Sequence, residues 1–220
     1  MLRRENRSRP GCRPPPRSPA GRTWPRPGAA LSPLTQRWHA VGGNTYPPAV
    51  TGYSPAAVAR LLAATATELR NEVEALPDEV RGWHPAPGEW CVNEVLGHLV
   101  EAERRGFAGR IRIILDQDQP RLETWDQEAV TRARDDCDRP GDQVLAELLA
   151  ERVLSVELVE GLSEESLDRG GEHVTIGPVT VRELLQEWVH HDRNHMKQIL
   201  SNVQAYAWAA MGNTRKFSDV

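Results

Sequence analysis

The sequence is poor in the residues that build several common kinds of site. Only three of its 220 residues are cysteines (Cys12, Cys91 and Cys137), and no two of them form a Cys-x-x-Cys pair. An odd number of widely spaced cysteines argues against a disulfide framework and predicts a reducing, cytoplasmic location. Cys91 precedes a predicted helix, whose dipole would favour a thiolate there, but a small apolar packing role is the interpretation we favour.

Long apolar runs are also missing. No segment approaches the roughly 20 apolar residues of a membrane-spanning helix, and no apolar stretch of about 7–15 residues follows the first arginines, as it would in a secretory signal. The sequence has no glycine-rich phosphate loop and no Gly-x-Ser-x-Gly nucleophile motif. The lack of long apolar runs predicts a protein without a membrane partner.

Lysine is nearly absent, with two residues against 25 arginines, and nine of the arginines lie in the first 47 residues. This proline- and glycine-rich stretch carries a charge of about +8, which leaves about −12 for the remainder. We predict that residues 1–50 form a disordered basic, proline-rich arm, because so polar a segment buries too little apolar surface to offset its ordering entropy. Its charge could attract nucleic acid or a membrane, whereas a leader read from an early start codon in a GC-rich genome is the interpretation that the arginine bias favours. The acidic remainder and the lack of a DNA-reading motif predict no nucleic-acid partner.

The rest of the chain has the pattern of an all-α domain, predicted to span residues 51–212 and to be followed by a C-terminal tail over 213–220. Apolar residues recur at helical spacing in four segments of roughly 20 residues. The first begins at a Ser54 cap and ends before Pro77, the second runs from an Asn93 cap to Leu115, the third follows Pro140 and ends at Gly161, and the fourth runs from a Thr180 capping box to at least Leu200. Four such helices predict a four-helix bundle.

The connections and one apolar stripe complete this prediction. The connection from 117 to 140 is polar, and two short strand-like pieces flank a Gly-Pro turn between the third and fourth helices. The third helix is predicted to bury the stripe Val144, Leu145, Leu148, Leu149, Val153 and Val156.

Three of the seven histidines lie together in "WVHHDRNHMKQI" on the last predicted helix. The apolar seam through Leu184 and Trp188 continues, at spacings of three and four residues, to His191, His195 and Ile199. His190 falls on the polar side, so we expect it at the surface. Two inward-facing imidazoles one turn apart need hydrogen-bond partners or a shared cation, since both cannot be charged without repulsion. The spacing leaves both a metal site and a hydrogen-bonded pair open.

A third histidine on a second helix would favour the metal. His98 lies mid-way along the second predicted helix, at the margin of its apolar face, and bundle geometry lets it approach His191 and His195. A boundary position with the ring reaching water is the alternative. His84, His39 and His173 lie in turn, arm and loop contexts and are not predicted as ligands, although His173 could approach the mouth of the site.

The segments "GWHPAPGEWCVNEVLGHLVEAE" and "GPVTVRELLQEWVHHDRNHMKQI" resemble the DinB/YfiT-like superfamily of metal-dependent hydrolases and S-transferases. The resemblance covers roughly 54–201 in the right order. It implies an up-down-down-up four-helix bundle with a long crossover between the second and third helices. It also implies a divalent metal, nickel or zinc first and iron or manganese next, held by His98, His191 and His195. The family's usual serine before the second-helix motif is Cys91 here, and the basic arm has no counterpart in the family.

The resemblance implies an enzyme that uses a small-molecule substrate and forms a homodimer. Three histidines leave a vacant position on the cation, which is typical of catalytic sites. Our first hypothesis is a transferase in which the metal activates a low-molecular-weight thiol such as bacillithiol or mycothiol. A metal-dependent hydrolase and a non-catalytic, metal-stabilised binding module are the alternatives. Glu101, one turn after His98, is the candidate general base, and Asp192 is expected near the metal or at the surface.

Overall fold

A computed structural model describes residues 51–218, so the arm predicted for residues 1–50 lies outside the described residues. Within 51–218 the chain is mainly helical. In chain order the helices are α1 (Pro55–Ala75), α2 (Asp78–Arg81), α3 (Val92–Glu101), α4 (Ala108–Asp116), α5 (Gln127–Arg134), α6 (Gly141–Glu160), α7 (Glu164–Leu167) and α8 (Val181–Ala210). No helix of this part of the chain is both long and apolar enough to cross a membrane.

The four long helical segments form the predicted bundle. Helix α1 packs against α6 and α8, and α3 packs against the same two helices, so α1 and α3 are diagonal to each other. The segment from α4 to α6 is the long crossover between the second and third bundle helices. The up-down-down-up four-helix bundle predicted from the sequence is therefore confirmed.

Local signals explain where the bundle helices begin. The Ser54 hydroxyl accepts from the backbone N–H of Ala57, and Thr180 forms a capping box with Glu183, so both predicted caps are confirmed. The predicted Asn93 cap is wrong, because the N-cap of α3 is Cys91, whose backbone N–H donates to Glu94 at 2.8 Å. The Asn93 side chain instead donates to the carbonyl of Arg139 in the crossover.

The sequence predicted one continuous second bundle helix, but the structure shows that this helix is interrupted. A π-helical segment, Ala102–Gly106, separates α3 from α4, and the backbone N–H of Phe107 donates to the carbonyl of Ala102, five residues earlier. One extra residue in a turn rotates everything that follows by about 100° around the helix axis. The rotation sets the direction of Phe107 and Arg110, both of which line the pocket described below.

The third bundle helix buries the first part of the predicted stripe, Val144, Leu145 and Leu148, and departs from it after Leu148. Val153 is 58% exposed, and the seam instead continues from Leu148 through Arg152 and Ser155 to Val159. The sequence prediction followed the valines and leucines and passed over Arg152, because a charged residue is rarely fully buried without a partner. The partners of Arg152 are described with the site.

The crossover and the connection before α8 pair in a small sheet. Strand β1 (Arg121–Leu122) is parallel to β2 (Gly170–His173), which is antiparallel to β3 (Gly177–Thr180). The hairpin of β2 and β3 confirms the two predicted strand-like pieces, but the predicted Gly-Pro turn is wrong, because Gly177 and Pro178 lie in β3 and residues 174–176 form the turn. On its other side the crossover lies so close to α3 that a Cβ on Gly97 would collide with the carboxylate of Asp136.

The bundle core is divided into two apolar clusters along the helix axes. On α8, Trp188 belongs to one cluster and Ile199 to the other, and His191 and His195 lie between them. On the second bundle helix, Leu99 directly follows His98 and belongs to one cluster, and Ala102, one turn after His98, belongs to the other. The polar centre of the bundle therefore lies between two packed apolar layers.

Candidate metal centre

The structure brings His98, His191 and His195 together between α3 and α8. One ligand atom from each ring lies within 4.8 Å of the other two. The ring centroids are 4.5 Å apart for His98 and His195, 4.4 Å for His191 and His195, and 5.2 Å for His98 and His191. His98 is 2% exposed, so it is a core residue and not the boundary residue that the sequence allowed.

The ring orientations fit a shared cation. The Nε2 atoms of His98 and His191 are 3.1 Å apart, and two nitrogens at about 2.0–2.1 Å from one cation would be about 3.0–3.4 Å apart. Nδ1 of His195 faces the carbonyl oxygen of the Gln198 side chain at 2.9 Å, so Nδ1 carries the proton and Nε2 keeps its lone pair. Nδ1 of His98 and of His191 are buried without a hydrogen-bond partner. A neutral ring whose Nδ1 is protonated and whose Nε2 is free to coordinate is the form that a metal takes.

Burial keeps these rings uncharged. Burial, aided by the neighbouring His195, lowers the pKa of His98 to about 3. The pKa of His191 is lowered to about 2, first by burial and then by His195 and His98. Burial also lowers the pKa of His195, although Gln198 and Asp192 oppose the effect. All three rings are therefore neutral at pH 7 and available as ligands.

The lowered pKa values predict that the metal-free protein loses stability in mild acid. The unfolded chain takes up protons below about pH 6.5, whereas the folded rings of His98 and His191 stay neutral, so the free energy of unfolding falls as the pH drops. At pH 5 the loss reaches about 2 kcal/mol for each of these two rings. Urea unfolding in the presence of a chelator, repeated between pH 7.5 and 5, measures it. His191→Gln should reduce the pH slope by about one proton, and His190→Gln should leave the slope unchanged. An equal slope in all three proteins would contradict the assignment.

A pocket of about 780 Å³ opens onto His98 and His191. Its wall includes Phe107 and Trp125, whose rings lie 5.1 Å from His191 and 5.7 Å from His98, respectively. Trp125 lies in the crossover, and sequence reasoning missed it because no local pattern placed it near the histidines. Pockets of this size bury most of a small organic ligand.

One arginine on the wall of this pocket, Arg110, forms no ion pair with a carboxylate among the described residues. Arg110 contacts the ring Nε2 of His173 and the backbone carbonyl of Glu123, each at 3.1 Å, and its buried Nε has no partner. Burial lowers the pKa of Arg110, but a guanidinium remains charged in proteins. His173 also lines the pocket, as the sequence had allowed. The pocket wall thus carries a positive charge at Arg110, and the carboxylates of Glu183 and Glu187 also line it.

The other predicted residues occupy different surroundings. His190 has a side chain that is 68% exposed, as predicted. Glu101 forms ion pairs with Arg105 and Arg134, which lower its pKa against the opposing effect of burial. It is not among the residues that line the pocket. The general-base role that the sequence suggested for Glu101 stays a prediction, and the ion pairs argue against it.

A buried charge network behind the histidines was not predicted. Arg152 contacts Asp192 at 2.6 Å and Glu103 at 2.7 Å, and all three are at most 2% exposed. The indole N–H of Trp188 also donates to Glu103. Burial raises the pKa of Glu103 to about 7, while Arg152 opposes the shift. Each of the three charged residues follows a buried apolar residue by one turn, so the seam itself could have revealed them (Leu148 before Arg152, Leu99 before Glu103, Trp188 before Asp192).

Comparison with known proteins agrees with this geometry. The model of the DinB superfamily matches residues 61–199. Two curated relatives come from Bacillus subtilis (strain 168): "Putative metal-dependent hydrolase YfiT", 23% identical over 153 residues (68% of this chain and 84% of the relative), and "Uncharacterized protein YuaE", 24% identical over 143 residues (60% and 88%).

A solved structure has the same fold. It is described as "YfiT from Bacillus subtilis is a probable metal-dependent hydrolase with an unusual four-helix bundle topology", and it aligns with a TM-score of 0.66 at 20% identity, over 76% of this chain and 96% of that one. The helix order, the position of the histidines and the match over most of the described residues lead to one conclusion: the chain belongs to the DinB superfamily.

Proposed function

We propose that the protein is a metal-dependent transferase that uses a divalent cation at His98, His191 and His195 to activate a low-molecular-weight thiol. The observation that carries the proposal is the convergence of three neutral rings, two of which, His98 and His191, line a pocket large enough for a small substrate. Imidazole ligands suit nickel and zinc, with iron next. When bound, such a cation would lower the pKa of a coordinated thiol or water and supply the nucleophile.

The choice of a thiol over water follows from the carboxylates around the histidines. Glu187, four positions before His191, lines the pocket and lies 3.8 Å from His190, whereas Glu101, Glu103 and Asp192 are each paired with an arginine. The three carboxylates that are paired with arginine are therefore poorly suited to accept a proton from the nucleophile. A thiol, with an ordinary pKa of about 8.5, requires less help than water at 15.7.

The pocket wall indicates the substrate. Phe107 and Trp125 present apolar ring faces. The guanidinium of Arg110 is a charged donor that can form two hydrogen bonds to a planar anion such as a carboxylate. We infer that the electrophilic substrate is a small molecule with an apolar body and a carboxylate. The role of Arg110 is to bind and orient that carboxylate so that the reacting carbon faces the histidines.

A conjugation assay tests this function. The purified protein, loaded with nickel or zinc, is mixed with bacillithiol or mycothiol and a panel of electrophiles, and product is followed by mass spectrometry. We expect conjugation that requires both the metal and the thiol. Arg110→Gln should raise KM for a carboxylate-bearing electrophile about 10–100-fold, since a charge-assisted hydrogen bond contributes about 1.5–3 kcal/mol. It should leave KM for the corresponding amide unchanged. Arg112→Gln, two positions away on the exposed side of α4, is the matched control.

A metal-dependent hydrolase is the second candidate, and the name of the relative YfiT favours it. Metal-dependent hydrolysis of esters or amides without any thiol would support this candidate and overturn the thiol proposal. Failure of both reactions across the panel, in protein that holds its metal, would leave a metal-stabilised binding module.

A further inference from the structure

A second cluster of metal-ligating side chains lies at the start of α3. It consists of His84, Cys91 and Cys137, each of which has a ligand atom within 4.8 Å of the other two. His84 lies in the loop before α3, Cys91 caps the helix, and Cys137 lies in the 3-10 turn Asp136–Asp138 of the crossover. Cys91 is fully buried, whereas His84 and Cys137 are partly exposed. The loop before α3, the N-cap of that helix and the distant crossover thus deliver two thiols and one imidazole to the same place.

The ring of His84 is held in the orientation that a metal ligand needs. Its Nδ1 is 2.7 Å from the backbone carbonyl of Glu89, which can only accept, so Nδ1 carries the proton. Nε2 faces Sγ of Cys137 at 3.2 Å, and the hydrogen bond to Cys137 raises the pKa of His84 to about 9, so a bound cation would displace a proton from Nε2. Metal-binding histidines commonly donate their second ring N–H to a backbone carbonyl, which fixes the tautomer.

The spacing of the three ligand atoms fits a tetrahedral site. With a Zn–S distance of about 2.3 Å and a Zn–N distance of about 2.0–2.1 Å, sulfur and nitrogen ligands are about 3.6 Å apart and two sulfurs about 3.8 Å apart. We propose that His84, Cys91 and Cys137 form a second, sulfur-containing site for Zn²⁺, separate from the three-histidine site. The partial exposure of His84 and Cys137 leaves the fourth position of this site to a water molecule.

The proposed site ties the crossover to the helix that carries His98. Cys91 precedes His98 by seven residues, which is about 10 Å of helix, so the two sites do not share a ligand or a cation. The backbone of Cys91 is itself fixed by Glu94, so a cation here would hold the first turn of α3 against the loop and the crossover. The inference does not depend on the proposed transferase activity.

A disulfide between Cys91 and Cys137 is the competing use of the same side chains. It would remove two protons and two electrons from the thiols and would require an oxidant. The orientation of His84 favours the metal, because a disulfide makes no use of the lone pair on Nε2.

Cobalt substitution distinguishes the sites, because only the proposed one contains sulfur. The full chain carrying Cys12→Ser, which leaves Cys91 and Cys137 as its two thiols, is stripped of metal, reduced and titrated with Co²⁺. We expect a near-ultraviolet sulfur-to-cobalt charge-transfer band that saturates by two equivalents per chain, because the three-histidine site also takes up Co²⁺, and that is displaced by Zn²⁺. His191→Ala should keep the band, since that variant affects the three-histidine site.

Variants then assign the ligands. Cys137→Ser should abolish the band, and His84→Gln should weaken Zn²⁺ binding by more than the roughly 10–100-fold that loss of an outer partner causes. Both positions are partly exposed, and circular dichroism confirms that each variant is folded. Absence of the band in reduced, folded protein would overturn the proposal. So would a disulfide in the protein as isolated that, once reduced, still gives no band. Equal reactivity of the two thiols with and without Zn²⁺ would also contradict it.

Discussion

His98→Ala, His191→Ala and His195→Ala each remove one equivalent of divalent metal per chain, whereas His190→Ala retains it. This is the result we expect from elemental analysis of the four variants beside the unmodified protein. Each of the first three rings has a ligand atom within 4.8 Å of the other two, whereas the side chain of His190 is 68% exposed. Removal of one of three ligands should weaken the affinity by more than about 100-fold, because even an outer partner contributes 10–100-fold.

His190→Ala is a close control for this experiment. It changes the same residue type one position away on the same helix, so helix propensity and surface charge are matched. A chelator competition assay gives the affinity of each variant, and urea unfolding verifies that all four are folded. Equal metal retention in the four variants would remove the assignment and, with it, the proposed activity.

Arg152→Leu should cost about 3–5 kcal/mol of the free energy of unfolding, the largest loss we expect from a single substitution. The guanidinium contacts Glu103 and Asp192 and lies 5.9 Å from the centre of the Trp188 ring, all inside the bundle. Its removal leaves two carboxylates buried without a counter-charge, and burial already raises the pKa of Glu103. For a domain of this size the loss corresponds to a decrease in Tm of roughly 6–20 °C.

Two further proteins make this result specific. Arg193→Ala breaks a 2.8 Å ion pair with Glu68 in which both side chains are at least one-third exposed, and it should change stability by at most about 1 kcal/mol. The triple variant Arg152→Met, Glu103→Gln and Asp192→Asn removes all the buried charges together and should recover much of the loss. Equal losses for Arg152→Leu and Arg193→Ala would show that the buried network is no more important than a surface pair.

The sequence predicted the bundle and the inward-facing His191 and His195 because both depend on local periodicity, whereas the role of His98 as a ligand came from the family resemblance. Ser54 and Thr180 cap helices in the structure as their neighbours suggested, and the seam through Trp188 selected His191 and His195 over His190. A stripe of residues three and four apart defines one face of a helix regardless of what packs on it. For this reason the inward-facing histidines could be chosen before the structure was known.

Features that depend on two segments meeting, or on a single inserted residue, were not predictable in this way. The π-helical segment Ala102–Gly106 leaves the apolar pattern almost unchanged, so the second helix looked continuous. Trp125 and Cys137 lie in the crossover, and their neighbours in space come from other helices. Arg152 lies one turn after Leu148 on the buried seam but was not singled out, because charged residues normally lie at the surface, and its partners explain its burial.

The two helices that supply the three histidines are neighbours in space but far apart in sequence, since His98 and His191 are 93 positions apart. A cation that joins them would close a loop of that size. Such a cross-link stabilises the fold largely because it lowers the conformational entropy of the unfolded chain. Occupancy would then favour the folded state in proportion to the logarithm of the free metal concentration. The fraction of this chain that is folded would therefore depend directly on the concentration of the free ion in the cell.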